Sequence, residues 1–158
     1  MPVSPWWEIA VRLTLAAFLG GVIGFERERR GKPAGLRTHM LVSVAAAVFV
    51  LSAQEAAIRA GESVDSVRAM SGVAQGVGFL GAGVILQARG EVRWLTTAAA
   101  LWTAAAMGLG AAMGMYYIVI VASVLVWIIL RWFDVVEGRI QRAPDGSSAR
   151  TNGKRRAP

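Results

Sequence analysis

Long apolar stretches alternate with short charged ones along the whole chain. Residues 69–88 carry no formal charge over 20 positions, and residues 94–130 carry none over 37. A helix that crosses the hydrocarbon core of a bilayer needs about 20 predominantly apolar residues. The pattern therefore predicts an all-α fold, a polytopic membrane helix bundle.

The longest apolar stretch decides how many spans are predicted. As one helix, residues 94–130 would extend about 55 Å at about 1.5 Å per residue, against a hydrocarbon core of about 30 Å. Gly108, Gly110 and Gly114 lie near the middle of this stretch and favour a break into two short spans. Five transmembrane helices are therefore predicted, at about 6–25, 40–57, 69–88, 94–110 and 114–132.

Two further segments follow the bundle, which is predicted to occupy residues 1–132. Residues 133–142 keep their apolar side chains on roughly one helical face, which predicts a short interfacial helix that continues the last span. Residues 143–158 are polar and basic, with too few apolar residues to fold. They are predicted to form a disordered basic tail.

Basic residues are concentrated in alternate loops. With five spans, residues 27–37, residues 89–93 and the tail from Arg131 place fourteen Lys and Arg on one side. The opposite side holds two, Arg59 and Arg68. Because cytoplasmic loops carry the excess of Lys and Arg, we expect the N-terminus outside and the C-terminus inside.

Composition narrows the classes of function. The net charge is +7, but the charges flank apolar spans and form no soluble basic face, so nucleic acid is not an expected partner. There is no cysteine and one histidine, His39, so neither a thiolate nor a histidine-rich metal site is expected. We expect no enzyme activity and no cofactor, because no nucleophile–base pair is evident, and Mg²⁺ binding is left open.

The segment GVGFLGAG contains the spacing G-x-G-x-x-G at Gly76, Gly78 and Gly81. A dinucleotide site needs a preceding strand, whereas these glycines lie inside an uncharged span. With Gly72 and Gly83 they predict close helix packing, with this third helix at the centre of the bundle. The alternative is a broken helix in a transport pathway, whose walls would come from Ser71, Gln75, Thr96, Thr97 and Thr103.

The segment FERERRGKPAGLRTHM is densely charged. Glu26 with Arg30, and Glu28 with Lys32, are spaced as ion pairs on one helix, so the first helix is predicted to continue to about Arg30. Thr38, just before the next apolar stretch, is expected to cap the second helix.

Two interpretations of this loop remain open. In the first, its basic residues anchor the chain at the cytoplasmic surface and form internal salt bridges. In the second, Glu26 pairs with Arg37 and His39 in a buried polar cluster, which would bind an anion, a lipid head group or a partner.

Three segments, LGGVIGFERERRGKPAGLRTHMLVSVAAAVF, GVGFLGAGVIL and LTTAAALWTAAAMGLGAAMG, resemble the MgtC/SapB family of bacterial inner-membrane proteins. The resemblance covers about residues 10–130. It implies a five-span membrane protein associated with growth at low magnesium and, in pathogens, with virulence. It also implies a regulator that acts on the membrane ATP synthase. Longer family members carry a folded cytoplasmic domain, so this chain looks like the short, membrane-only branch.

The resemblance also marks positions outside the glycine segment. They fall in the first cytoplasmic loop, at the start of the third span and in the fourth span. These positions are Glu26, Arg27, Glu28, Arg37, Thr38 and His39; Asp65 and Arg68; and Thr96, Thr97 and Trp102.

Together these features predict a small regulatory protein of the inner membrane, linked to magnesium limitation and ion homeostasis. It would act by helix–helix contact with other membrane proteins. Its expected partners are membrane lipids and other inner-membrane proteins, among them the ATP synthase, and self-association is left open. The alternative function is a transporter or channel for a cation or small solute.

Overall fold

The computed structural model describes residues 5–63, 65–86 and 93–140, and over these residues it contains five α-helices and no strand. This confirms the predicted all-α class. Residues 133–140 continue the last helix, whereas residues 141–158, including the predicted tail, lie outside the described residues. The helices are α1 (Trp6–Arg29), α2 (Leu36–Ala60), α3 (Ser66–Leu86), α4 (Leu95–Ala112) and α5 (Tyr116–Ile140).

The helices have the length and surface of membrane helices. By length and composition, α1, α2 and α4 are each able to cross a bilayer, and α5 contains a shorter apolar segment, Tyr116–Trp132. Large apolar side chains are exposed on the outside of the bundle, among them Phe18, Phe49 and Phe79. Exposed apolar surface of this extent is suited to lipid rather than water. The chain is a membrane protein.

The turn between α1 and α2 is formed by glycine. α1 ends at Arg29, close to the predicted end at about Arg30. The chain then turns at Gly31, whose φ of +62° is in the left-handed region, and α2 begins after Gly35. Thr38 therefore lies inside α2, so the prediction that it caps the helix is wrong.

The long apolar stretch breaks at only one of its three glycines. Residues 113–115 form the turn, and Gly114 has a φ of +73°. Gly108 and Gly110 lie inside α4 instead. A Cβ on Gly108 would overlap the carbonyl group of Ser43 in α2, and one on Gly110 would overlap Val119 in α5. These two glycines allow close packing rather than a bend.

α4, not α3, is the central helix. α4 contacts each of the other four helices. Within an apolar segment of 18 residues in each helix, 50% of the residues of α4 are buried, compared with 28% in α1 and in α2. Among the described residues, α3 contacts only α2 and α4, so the prediction that α3 is central is wrong. α3 packs through Val73 and Val77. An added Cβ on Gly72, Gly76, Gly78 or Gly83 would meet nothing within 4 Å, so of the glycines in α3 only Gly81 packs closely against another described helix.

Small residues bring α1 and α2 together. A Cβ on Gly20 would lie 2.6 Å from the carbonyl oxygen of His39, and one on Gly24 would lie 2.8 Å from the Cα of Leu36. One turn earlier, Ser43 Oγ donates a hydrogen bond to the carbonyl of Ala16 at 2.7 Å. Ala16, Gly20 and Gly24 thus form a small-residue stripe that allows the two backbones to approach closely.

Candidate functional site

Four buried polar side chains lie where α1 ends and where α2 and α4 begin. We call them the buried polar cluster: Glu26 and Arg27 of α1, His39 of α2 and Thr97 of α4. Each is at most 6% exposed. Ionisable residues within a membrane helix bundle are costly to bury and are commonly functional. This cluster is therefore the candidate functional site.

Arg27 joins α1 to α4. Its side chain is 1% exposed, and Nη2 donates a hydrogen bond to Thr97 Oγ1 at 3.2 Å. Thr97 is in the first turn of α4 and is itself fully buried. A buried guanidinium must be compensated by polar partners, so this contact fixes the start of α4 against the end of α1.

His39 is fully buried and held in one tautomer. Its Nδ1 lies 2.9 Å from the carbonyl oxygen of Gly35. A carbonyl oxygen only accepts hydrogen bonds, so Nδ1 must carry the proton. Nε2 has no hydrogen-bond partner among the described residues. The ring therefore presents an unsatisfied nitrogen to the interior of the bundle.

Glu26 connects the cluster to the surface. It forms an ion pair with Arg30 one turn along α1, which confirms the predicted pairing of these two residues. Arg30 Nη2 also donates to the carbonyl oxygen of Arg131 in α5 at 3.3 Å. The end of α1 is thereby joined to α5 as well as to α4.

Glu28 stabilises the start of α2. It is exposed, and its Oε2 accepts a hydrogen bond from the backbone N–H of Leu36 at 2.7 Å. The first N–H groups of a helix have no partner within the helix, and their end of the helix dipole attracts negative charge. A carboxylate of α1 thus caps α2. The sequence had indicated Lys32 as the partner of Glu28.

Arg37 does not belong to the cluster. The prediction paired it with Glu26, but the structure places its side chain at the surface, together with that of Thr38. The reason is helical periodicity. His39 faces the interior, and a residue two positions away points to nearly the opposite side of the helix at about 100° per residue.

Asp65 and Arg68 lie at the other end of the bundle and form the N-terminal cap of α3. Asp65 Oδ1 accepts the backbone N–H of Arg68 at 3.0 Å, and Oδ2 pairs with Arg68 Nε at 3.1 Å. The backbone hydrogen bond, followed by the side-chain one, lowers the pKa of Asp65 below its ordinary 3.8. Both residues are exposed, so the pair is a surface cap.

The polar residues predicted to line a pathway do not come together. Thr97 is buried in the cluster, whereas Ser71, Gln75 and Thr96 are exposed. Thr103 donates to the carbonyl oxygen of Ala99 in its own helix at 2.8 Å. Trp102, also marked in the sequence, is 53% exposed.

The charged pair Glu8–Arg12 holds the far end of α1. Arg12 Nη2 lies 2.5 Å from Glu8 Oε1, and Nη1 donates to the carbonyl oxygen of Ala112 at 2.5 Å. The carbonyl groups at the end of a helix lack partners within it. Arg12 therefore caps the C-terminus of α4. Among the side chains that the structure describes, in residues 5–63, 65–85 and 93–132, no three histidine or carboxylate groups gather closely enough to hold a metal ion.

Sequence reasoning missed the residues that bring the core helices together. They are Ala16, Gly20 and Gly24 of α1, Ser43 of α2 and Gly108 of α4. A signal was present, because Ala16, Gly20 and Gly24 are spaced four residues apart. The glycines of α3 have the same spacing and are more numerous, so close helix packing was predicted for α3 instead.

The chain matches known proteins over most of its length. The profile of the MgtC family matches residues 13–139. Protein SrpB of Synechococcus elongatus is 43% identical over 114 residues, which cover 65% of this chain and 62% of SrpB. The protein named "Putative magnesium transporter YhiD" of Escherichia coli K12 is 40% identical over 137 residues, 84% of this chain and 64% of that protein.

A third relative is Protein MgtC of Brucella abortus, 44% identical over 99 residues, 63% of this chain and 40% of that protein. The chain thus spans less than two thirds of the length of each of these relatives. No solved structure matches it significantly. The match to the family profile, which extends from α1 into α5, shows that the chain belongs to the MgtC family.

Proposed function

We propose that the protein is a small regulatory protein of the bacterial inner membrane, which acts by helix–helix contact with other membrane proteins. One observation carries this proposal. Ser71, Gln75, Gly78 and Ala82 follow one another along one face of α3, and all four are exposed. We call this face the α3 stripe.

The α3 stripe has the composition of a helix contact surface. An added Cβ on Gly78 would meet nothing within 4 Å, so this glycine does not serve packing within the described chain. Gln75 presents an amide to the hydrocarbon, where a polar group without a partner is unfavourable. Small residues allow a second helix to approach, and an amide can bond to it. A partner helix would satisfy both features.

The proposed topology has five spans, with the N-terminus outside and the C-terminus inside. Arg27 contacts Thr97 at the start of α4, and Arg30 contacts Arg131 in α5. These contacts bring the C-terminal end of α1, the start of α4 and the part of α5 around Arg131 to one end of the bundle. Basic residues lie in or next to each of these three segments. The positive-inside rule assigns that end to the cytoplasm. On this basis α3 and α5 also cross the membrane.

The proposed physiological setting is magnesium limitation, and the role needs no catalytic reaction by the chain. The name of the Escherichia coli relative mentions magnesium, and the family resemblance implies growth at low magnesium. The resemblance also makes the membrane ATP synthase a candidate partner. In this proposal the buried polar cluster keeps α4 in place, while the α3 stripe makes the contact.

The test is recovery of partners from the source bacterium, grown at limiting magnesium, by a tagged full-length chain in mild detergent. Wild type and an Ala106→Leu control, which enlarges an exposed position of α4, should recover the same membrane proteins. Gly78→Leu should lose them and should also fail to restore growth to a deletion strain. Equal recovery by all three proteins would refute contact through the α3 stripe.

Magnesium transport is the second candidate, and the name of the YhiD relative favours it. The purified chain in proteoliposomes would then move Mg²⁺ down a gradient, measured with an enclosed dye. Thr97→Ala, in the buried polar cluster, should reduce that flux, and Ala106→Leu should not. An absence of flux under any gradient would exclude this candidate.

A further inference from the structure

A lateral groove runs between α2 and α3. These helices contact each other much less than α1 and α2 do, and between them lies a cavity of about 760 Å³. Its walls are apolar side chains and glycine, and a single charged residue, Arg68, lines it. The groove is on a different face of α3 from the α3 stripe.

The groove has the length of one lipid tail. α2 lines it from Leu41 to Ala53, which is about 18 Å at about 1.5 Å per residue. One leaflet of the hydrocarbon core is about 15 Å thick, half of about 30 Å. An acyl chain of one leaflet would therefore extend along most of the groove.

On the α3 side of the groove, glycine leaves space because it has no side chain. Gly72 and Gly76 line the cavity, and an added Cβ at either position would meet nothing within 4 Å. The space beside them is therefore open along about one turn of α3. A flexible, narrow tail fits such a space without rearrangement of the helices.

The charge lies at one end of the groove. Arg68 is in the first turn of α3, and its side chain is 88% exposed. Asp65 accepts a hydrogen bond from Nε, which orients the guanidinium and leaves both Nη groups available to donate. A guanidinium at the edge of the hydrocarbon, above an apolar groove, complements a phosphate attached to an acyl chain.

We infer that the α2–α3 groove binds one anionic phospholipid. An acyl chain lies along Gly72 and Gly76, and the Nη groups of Arg68 donate hydrogen bonds to the phosphate. The lipid fills the space that the loose contact between α2 and α3 leaves open. It thereby holds α3 against the core. This inference does not depend on the proposed regulatory function.

The experiment measures phosphatidylglycerol retained by the purified full-length chain, using native mass spectrometry across a titration with that lipid. Phosphatidylcholine is titrated in parallel. Arg68→Gln should weaken phosphatidylglycerol binding about tenfold, as expected for loss of charge-assisted hydrogen bonds. Arg59→Gln is the matched control, because Arg59 is exposed near the same end of the bundle and does not line the groove.

Two groove-filling variants test the tail site. Gly76→Phe and Ala45→Phe fill the groove from opposite walls, and each should reduce retention of both lipids while the chain stays folded by circular dichroism. Two wall variants are used so that misfolding of one does not decide the outcome. Displacement of the bound lipid by inorganic phosphate alone would refute a site that requires the acyl chain.

Equal retention by wild type, Arg68→Gln and the groove-filling variants would mean only nonspecific annular lipid, which would overturn the inference. A change of oligomeric state in Gly76→Phe with unchanged lipid retention would also overturn it, because a second protein chain would then occupy the groove.

Discussion

Gly20, Gly24 and Gly108 lie where the helices of the core cross, and an added Cβ on any of them would collide with backbone atoms of α2. Gly72 and Gly76, on α3, lie where an added Cβ would meet nothing within 4 Å. The same residue type at the same four-residue spacing therefore serves two purposes. In α1, glycine brings two helices of one chain into contact. In α3, it leaves a surface open.

The largest expected effect distinguishes these two kinds of glycine directly. Gly108→Ala should destabilise the folded chain by about 3 kcal/mol, because the new methyl group overlaps the Ser43 carbonyl and the core must shift. Gly72→Ala should be neutral or stabilising by up to about 1 kcal/mol, since alanine favours the helix. Thermal unfolding in detergent measures both. Similar losses in the two variants would break the comparison.

The next effect concerns the buried and exposed charges near the turn between α1 and α2. Glu26→Gln should cost about 2 kcal/mol, less than a fully buried pair, because Arg30 is 27% exposed. The variant should also fail to restore growth to a deletion strain at limiting magnesium. Arg37→Gln, at an exposed position, should preserve both stability and growth. Loss of function in Arg37→Gln would instead indicate that the exposed part of the loop between α1 and α2 binds an anion, a lipid head group or a partner.

A smaller effect is expected at the cap of α2. Glu28→Gln keeps a hydrogen-bond acceptor for the Leu36 N–H but removes the negative charge. We expect a loss of about 1 kcal/mol. Hydrogen exchange of the first turn of α2 should increase in this variant, with the middle of the helix unchanged. If the first turn of α2 exchanges at the same rate in Glu28→Gln and in wild type, Glu28 does not cap the helix.

The smallest effect is expected at the corresponding cap of α3. The folded pKa of Asp65 is below 3.8, so its charge stabilises the chain above that pH, and the stabilisation is lost as the pH falls through the folded pKa. Asp65→Asn should therefore lower the melting temperature slightly at neutral pH, and the difference should disappear in acid. Arg68→Gln keeps the backbone N–H that Asp65 Oδ1 accepts, so at neutral pH it should lower the melting temperature less than Asp65→Asn does.

The sequence predicted the helices well but not their arrangement. Apolar runs and glycines at turns located all five helices, because a span needs about 20 predominantly apolar residues. Which face of each helix points inward was not evident, since lipid-facing and core-facing residues are both apolar. α3 was therefore placed at the centre for its glycines, while alanine-rich α4 occupies that position.

The candidate site was predicted in part. Glu26 and His39 were expected to be buried, and both are buried. They were identified because charged or polar residues next to an apolar run are noticeable in sequence. Arg27 was marked by the resemblance, and Thr97 both by the resemblance and as a possible pathway wall, but their contact was not predicted. It spans 70 residues of the chain. No local pattern reports such a contact. The exposure of Arg37 depended on where α2 begins, four residues before the predicted start.

The stripe of Ala16, Gly20 and Gly24 has a consequence for biosynthesis. The contacts of α1 with α2, and the cap that Glu28 provides, are all encoded before residue 61. This hairpin is thus complete in sequence while α4 has yet to leave the ribosome. We expect it to enter the bilayer as a preassembled pair, against which the later helices dock as they are translated.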